Sequence, residues 1–231
     1  MRTAKTVLTV IQERGKQKKP IERVYKLLFN RELYLNAYAK LYPNNGAMTK
    51  GVTDETVDGM SIQKIDRMIE ILREEKYQWK PARREYIKKK NGKKRPLGIP
   101  VWGDKVLQEV MRQILEAYYE PQFSEHSHGF RPNRGCHTAL QEIQVWKGTR
   151  WFIEGDISQY FDTIDHKILL EILARNIHDG RFIRLVSNML EAGYLEEWKF
   201  NQTISGVPQG GVISPILANI YLNEFDNWIE E

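Results

Sequence analysis

"WFIEGDISQYFDTIDH", residues 151–166, decides how this chain is read. With the preceding arginine, "RWFIEGDI" alternates bulky and other residues as a half-buried strand does, and "HKILLEILARNI" from His166 onward carries an amphipathic helical pattern. Asp162 precedes that helix with Asp165 three positions later, which resembles a capping box with Asp in place of Glu. Both acids are therefore assigned to the helix. Asp156 sits at the strand's exit, where capping does not account for it. Its spacing from Phe161 lets one turn carry a metal-binding carboxylate and an aromatic wall beside a nucleotide.

On the C-terminal side, "ISGVPQGGVISPILANIYLNEFDNWIEE" (204–231) places Pro208 and Gly210-Gly211 in a tight turn. Ser214-Pro215 reads as an N-cap and a first-turn proline. Gln209 is thereby displayed on a rigid loop, a weak signal by itself. On the N-terminal side, "SEHSHGFRPNRGCHTAL" (124–140) tempts a zinc reading through His126, His128, Cys136 and His137, but the separations do not pair as zinc ligands do. A basic loop is the better reading, with Arg131, Asn133 and Arg134 on backbone phosphate and Phe130 in the core.

"RREYIKKKNGKKRPLGIP" (83–100) centres on Asn91-Gly92, the preferred pair for a two-residue hairpin turn. Counting outward sets Lys90 opposite Lys93, Lys89 opposite Lys94, Lys88 opposite Arg95 and Tyr86 opposite Leu97. Three like-charged pairs repel one another, and an anion relieves the repulsion. A triphosphate or a nucleic-acid backbone would serve, gripped by the planar fork of Arg95 and the point charge of Lys88. The competing reading is a solvated edge hairpin that its lysines keep from aggregating.

Elsewhere the periodicity predicts helices. Pro20 suits a first turn, with Val24, Leu27, Leu28, Leu35, Tyr38 and Leu41 in an apolar stripe. The loop of residues 43–60 follows, and Ser61 caps a helix carrying Ile62, Ile65, Met68, Ile69 and Leu72. "DKVLQEVMRQILEAYYE" and "HTALQEIQVW" are two more. The 231 residues carry a net charge of +5, but residues 1–100 hold 24 Lys and Arg against 11 Asp and Glu, and the remainder 11 against 19. A basic half joined to an acidic half points to a polyanion partner and a separate acidic function. One cysteine excludes an internal disulfide framework, and neither a secretory signal nor a membrane span is evident, so the expected location is cytoplasmic.

From about residue 21 onward the chain resembles the reverse transcriptases of group II introns. The motifs "NGKKRPLGIP", "SHGFRPNRGCHTAL", "GDISQYFDTIDH" and "GVPQGGVISPILANIYL" follow in the family's order. The resemblance implies an α+β right-hand polymerase: a basic helical N-terminal extension over 1–60, mainly fingers over 61–148 with the hairpin at 83–100, and the start of a palm over 149–231 with a small antiparallel sheet. It makes Asp156 a catalytic Mg2+ ligand with the Ile157 carbonyl nearby. Phe161 becomes the side chain that crowds a ribose 2′-hydroxyl, Lys88 and Arg95 hold the incoming dNTP, and Gln209 lines its pocket. Lys89, Lys93, Lys94, Arg131, Asn133 and Arg134 are assigned to nucleic acid.

The implied activity is RNA-directed DNA polymerisation by the parent protein, with a role in intron splicing. The implied partners are group II intron RNA and an RNA template with a DNA primer, with no membrane; the resemblance admits a homodimer. The chain departs from the family in lacking a Tyr-x-Asp-Asp sequence. Two-metal phosphoryl transfer needs several converging carboxylates, so the chain reads as a fragment that is inactive alone. The alternatives are a non-catalytic RNA-binding splicing scaffold and a retron-type reverse transcriptase.

Overall fold

The computed structural model describes residues 2–88, 92, 94–197, 199–207 and 210–231. Helix α4 (Trp102–Tyr119) is the centre of the fold. Val106, Leu107, Val110, Met111, Ile114, Leu115 and Tyr118 are all fully buried on it. A helix apolar over so much of its circumference must be enclosed by other elements. The enclosing elements are α1 (Ala4–Lys16) and α2 (Arg31–Leu41) on one side and the C-terminal helix α9 (Ser214–Glu230) on another.

α1 reaches α4 through a glycine. A Cβ added at Gly15 would lie 2.1 Å from the carbonyl oxygen of Tyr118, so the two backbones meet where no larger residue fits. The start of α1 is fastened to α2, whose Glu32 carboxylate accepts from the Ala4 amide at 2.7 Å. The stripe expected to run on from Pro20 is interrupted. Arg23 is left-handed, Val24–Phe29 is a 3-10 turn, and Asn30 starts α2 afresh by accepting from the Glu32 amide. The Ser61 cap of α3 (Ile62–Arg73) is as the sequence predicts, its hydroxyl accepting from the Lys64 amide.

The longer strands, β2 (Ala82–Lys88) and β3 (Lys94–Ile99), form an antiparallel hairpin. β5 (Tyr194–Glu196) adds to β2 in parallel and β6 (Lys199–Asn201) to β5, giving a sheet in the order β3-β2-β5-β6. A separate parallel pair joins β1 (Ile21–Glu22) to β4 (Ile177–His178). Helix α5 (Cys136–Gln144) forms where expected, but it buries none of its residues. α7 (His166–Asn176) and α8 (Gly180–Leu190) pack together and complete the core.

The hairpin register differs by one residue from the two-residue turn. Lys88 pairs with Lys94, Ile87 with Arg95, Tyr86 with Pro96 and Glu85 with Leu97. An odd connection of five residues lies between the first pair, and one step of register transfers a side chain to the other face. Lys88 and Arg95 therefore point to opposite faces of the ribbon. Lys89, Lys90, Asn91 and Lys93, and with them the remaining expected pairs, lie outside the described residues.

The strand expected over "RWFIEGDI" does not form: residues 149–158 have neither helix nor strand, with Trp151 87% and Ile153 94% exposed. The alternation is present, but an extended segment is stabilised only by a neighbouring strand that takes its backbone groups. No strand pairs with it among the described residues. The capping reading is half right. Asp165 is the N-cap of α7, accepting from the Ile168 amide at 3.0 Å, whereas Asp162 lies in the short helix α6 (Tyr160–Thr163). Likewise Ser214 is the first residue of α9 and Ile213 its cap.

Two predictions follow from the packing around α4. Gly15→Ala should destabilise the fold by about 1–3 kcal/mol, the usual cost of overpacking, read as a lower urea midpoint. Asp104, 3% exposed, accepts from Tyr77 Oη (2.6 Å) and the Lys80 amide (3.0 Å), and burial pushes its pKa up to about 6 against those bonds. A raised acid binds its proton more tightly folded than unfolded, so its contribution to stability falls as pH rises from about 4 through 6. The stability difference Asp104→Asn minus parent should therefore grow by about 2 kcal/mol across that window, measured by urea unfolding at both ends.

Candidate nucleotide and nucleic-acid site

The segment following β6 is clamped at three places by contacts that require glycine or a buried polar group. At the first, Gly206 has φ +86°, and a Cβ there would sit 2.8 Å from the Asp162 Cα and from the Phe161 carbonyl oxygen. The Gly206 amide donates to the Ile164 carbonyl (2.8 Å) and the Val207 amide to the Phe161 carbonyl (2.7 Å). His166 Nε2 meets the Gly206 carbonyl at 2.6 Å. At the second, Gly210 has φ +100°, and a Cβ would fall 2.6 Å from Leu97 Cδ1 and 2.7 Å from the Gly98 carbonyl. At the third, the Val212 amide donates to the buried Gln108 side chain at 2.9 Å.

The clamp brings the Phe161 turn, one face of β3 and the middle of α4 together. Leu97 and Arg95 are two residues apart on β3 and share that face. Phe161 is partly buried and meets Tyr160 and Phe130 edge-on at 5.7 and 6.2 Å. Gln209, expected in the same place, lies outside the described residues, as do Lys89 and Lys93. Lys88 lies on the opposite face with its pairing partner Lys94, whose ammonium stands 5.9 Å from the Tyr86 ring. Beside the Leu97 face, a cleft of about 210 Å³ runs between Ile99, Trp102, Val212 and the loop at Gly46–Thr49. Lys105 pins that loop by donating to the Gly46 and Thr49 carbonyls at 3.1 Å each.

The loop of residues 124–135 departs from its expected use. Arg131 is buried: it donates to the Glu120 carboxylate (3.0 Å) and the Ser127 carbonyl (2.8 Å) and lies over Phe123. It closes the loop from inside rather than presenting its guanidinium to solvent. Arg134 donates to the Glu125 carbonyl, and Asn133 is exposed in a left-handed conformation. Phe130, read as core, is 72% exposed. The histidines that suggested zinc bracket one carboxylate instead, His128 Nε2 meeting Glu142 at 2.7 Å and His126 the other oxygen. Glu142, first through its hydrogen bond, raises the His126 pKa.

Asp156 is exposed in the segment without regular structure, and Ile157 is half exposed beside it. Among the described residues no three His, Cys, Asp or Glu side chains gather as metal ligands. One carboxylate does not fit a two-ion site. The clamp itself was missed in sequence, where Gly210 was assigned to a tight turn and Gly206 to nothing. Glycines on both sides of Pro208 were the available signal.

A family model described as reverse transcriptase (RNA-dependent DNA polymerase) matches residues 87–231, and the chain belongs to that family. Among curated relatives it is 51% identical over 209 residues to the group II intron-encoded protein LtrA of Lactococcus lactis subsp. cremoris, covering 90% of this chain and 35% of that one. It is 47% identical over 235 residues to an uncharacterized 91 kDa protein in the cob intron of Schizosaccharomyces pombe, covering 98% and 29%. The chain thus spans about a third of the length of these relatives. The fold is similar to that of a solved Cas6-RT-Cas1–Cas2 complex, with a TM-score of 0.58 at 20% identity, over 90% of this chain and 35% of that one. No helix among the described residues is long and apolar enough to cross a membrane.

The clamp predicts a sharp difference between glycines. Gly206→Ala should cost about 3 kcal/mol, since left-handed strain and overlap add, whereas Gly129→Ala, with nothing within 4 Å of the added methyl, should change the urea midpoint little.

Proposed function

We propose that this chain supplies the template- and nucleotide-binding half of an RNA-directed DNA polymerase of a group II intron, whose parent protein also assists splicing of the intron RNA. The observation that carries this reading is the clamp. It joins Phe161 to the β3 face bearing Arg95 and Leu97, and a nucleotide pocket needs a sugar wall and a phosphate cation held at fixed separation. Arg95 is the triphosphate ligand on that face. Lys88 belongs to the same assignment from the other face of the ribbon, whose Arg84 and Pro96 line a cavity of about 390 Å³ with Asp162 and Gly206. Gln209, between Val207 and Gly210 in sequence, completes the pocket for the incoming dNTP.

The cleft beside Leu97 and the Gly46–Thr49 loop is assigned to template RNA. Lys94, Asn133 and Arg134, together with Lys89 and Lys93, provide the wider nucleic-acid surface. Arg131 supports it by shaping the loop. Asp156 is the metal-ligand candidate, for Mg2+, and a two-ion site would require more carboxylates than the described residues bring together. The intron origin of two relatives supports intron RNA as a partner.

The 231-residue chain should bind RNA with an affinity that falls steeply between low and physiological salt, since phosphate contacts release counterions, and should add no nucleotides to a primed RNA template. Filter binding across a salt series and a primer-extension assay measure these. A flat salt response would remove the basic half from the interface, and primer extension would refute the claim that Asp156 lacks sufficient partners.

A further inference from the structure

A cleft between α3 and the first turn of α4 encloses about 390 Å³, within the size range of small-ligand sites. None of Asp156, Phe161 or Arg95 lines it. Its apolar wall is formed by Met60, Met68, Tyr77 and Trp102. Thioethers and aromatic faces are the surfaces on which a planar heterocycle packs best. The buried indole N–H of Trp102 has no hydrogen-bond partner in that wall among the described residues.

The rim is cationic. Lys64, Arg67, Lys76 and Lys80 line the cleft against two carboxyls, Glu55 and Asp104. Arg67 is paired with Glu70 at 3.6 Å and Lys76 with Glu74 at 3.1 Å, both in exposed ion pairs. Exposed pairs of this kind are weak, so a phosphate can recruit these cations at little cost. Asp104 is buried with both oxygens taken by Tyr77 and Lys80, whereas Glu55 is an acceptor when ionised, and its Oε2 lies 3.9 Å from where a Gly103 Cβ would stand.

Gly103 is the gap in the wall. It lies in the first turn of α4, where glycine is poorer for the helix than a residue with a side chain. A Cβ there would make only ordinary contacts, 3.9 Å to Glu55 and 4.0 Å to Met68 Sδ. Sterics therefore do not demand glycine at this position, and its consequence is an open cleft.

We propose that this cleft binds one nucleotide unit, its base against Met68, Tyr77 and Trp102 and its phosphate on Lys64 and Arg67. Glu55, as an acceptor, selects bases with an exocyclic amine over uracil. A free mononucleotide and an unstacked nucleotide of an RNA strand present the same chemistry, and only the second depends on the RNA-binding reading above.

Calorimetric titration of the 231-residue chain with AMP, UMP and ribose 5-phosphate tests the site. AMP should bind with unit stoichiometry and more tightly than either comparator. Gly103→Leu, which fills the cleft, should weaken AMP at least tenfold without lowering the thermal midpoint. Met68→Phe fills it from the facing wall and serves if Gly103→Leu is poorly folded. Lys64→Ala with Arg67→Ala should weaken AMP at least fivefold. Undiminished AMP binding in a folded cleft-filling variant, or binding no tighter than ribose 5-phosphate, overturns the proposal.

A single-stranded oligoribonucleotide carrying 2-aminopurine identifies the source. Quenching that Gly103→Leu abolishes assigns the site to an RNA nucleotide. Quenching that persists in that variant while AMP binding is lost assigns it to the free mononucleotide. Total RNA affinity, followed by anisotropy on the same samples, reports on the RNA-binding reading separately, because losing the cleft leaves the remaining basic surface intact.

Discussion

The close approach of Gly206 and Gly210 to two different parts of the chain holds the candidate pocket together. Each glycine has positive φ, and each stands where a Cβ would strike another segment's backbone, at Gly210 also the Leu97 side chain. Between them the segment spans from the Phe161 turn to β3, and two residues after Gly210 the Val212 amide reaches Gln108 of α4. A turn, a strand and a helix far apart in sequence thus share one short connector. Backbone hydrogen bonds at 2.7 and 2.8 Å fix its first contact, and the close approach of Gly210 to Leu97 and Gly98 fixes its second.

The helix that the connector reaches, α4, is fastened to its neighbours through buried carboxylates. Its buried Glu109 carboxylate takes Arg112 at 2.7 Å and Lys40 at 3.2 Å, while Asp104 holds the Tyr77 hydroxyl and the Lys80 amide. Buried carboxylates are costly unless they are hydrogen-bonded or paired. Satisfied here at two levels of one helix, they fasten α2 at one and the approach to β2 at the other. The same helix forms a wall of both the cleft beside Leu97 and the cleft at Gly103, through Trp102. A shift in α4 would alter both clefts together.

Much of this was legible from residue order, and what was not legible has physical reasons. The helices of α3, α4 and α7 follow from apolar spacing and, for α3, from the Ser61 cap, because amphipathic periodicity and local caps are encoded within a few residues. The hairpin was legible but its register was not. Asn91-Gly92 favours one turn, yet the pairing that packs Leu97 and Ile99 inward beside Gly210 and Trp102 outweighs that local preference. Arg131 looked like a surface cation, and only the fold reveals Glu120 waiting for it. The extended form of residues 149–158 was inferred from alternation, which reports which side chains could be buried and cannot report whether a neighbouring strand exists.

The corrected register also constrains how a triphosphate could be held. In the predicted pairing Lys88 and Arg95 face each other and grip one anion jointly. In the observed pairing Arg95 shares its face with Leu97 and the clamp, and Lys88 shares the opposite face with Lys94, Tyr86 and Arg84. Arg84 is itself stacked 3.5 Å from the Tyr194 ring centre and the Tyr86 hydroxyl meets Glu196, while Arg84 and Pro96 on that face also line a cavity of about 390 Å³ with Asp162 and Gly206. Lysine reaches far on a flexible stem, while arginine presents a rigid fork close to its backbone. Under the proposed assignment the division of work would be unequal: Arg95 would fix the position of an anion with its fork, and Lys88, from the other face, would contribute charge without fixing geometry.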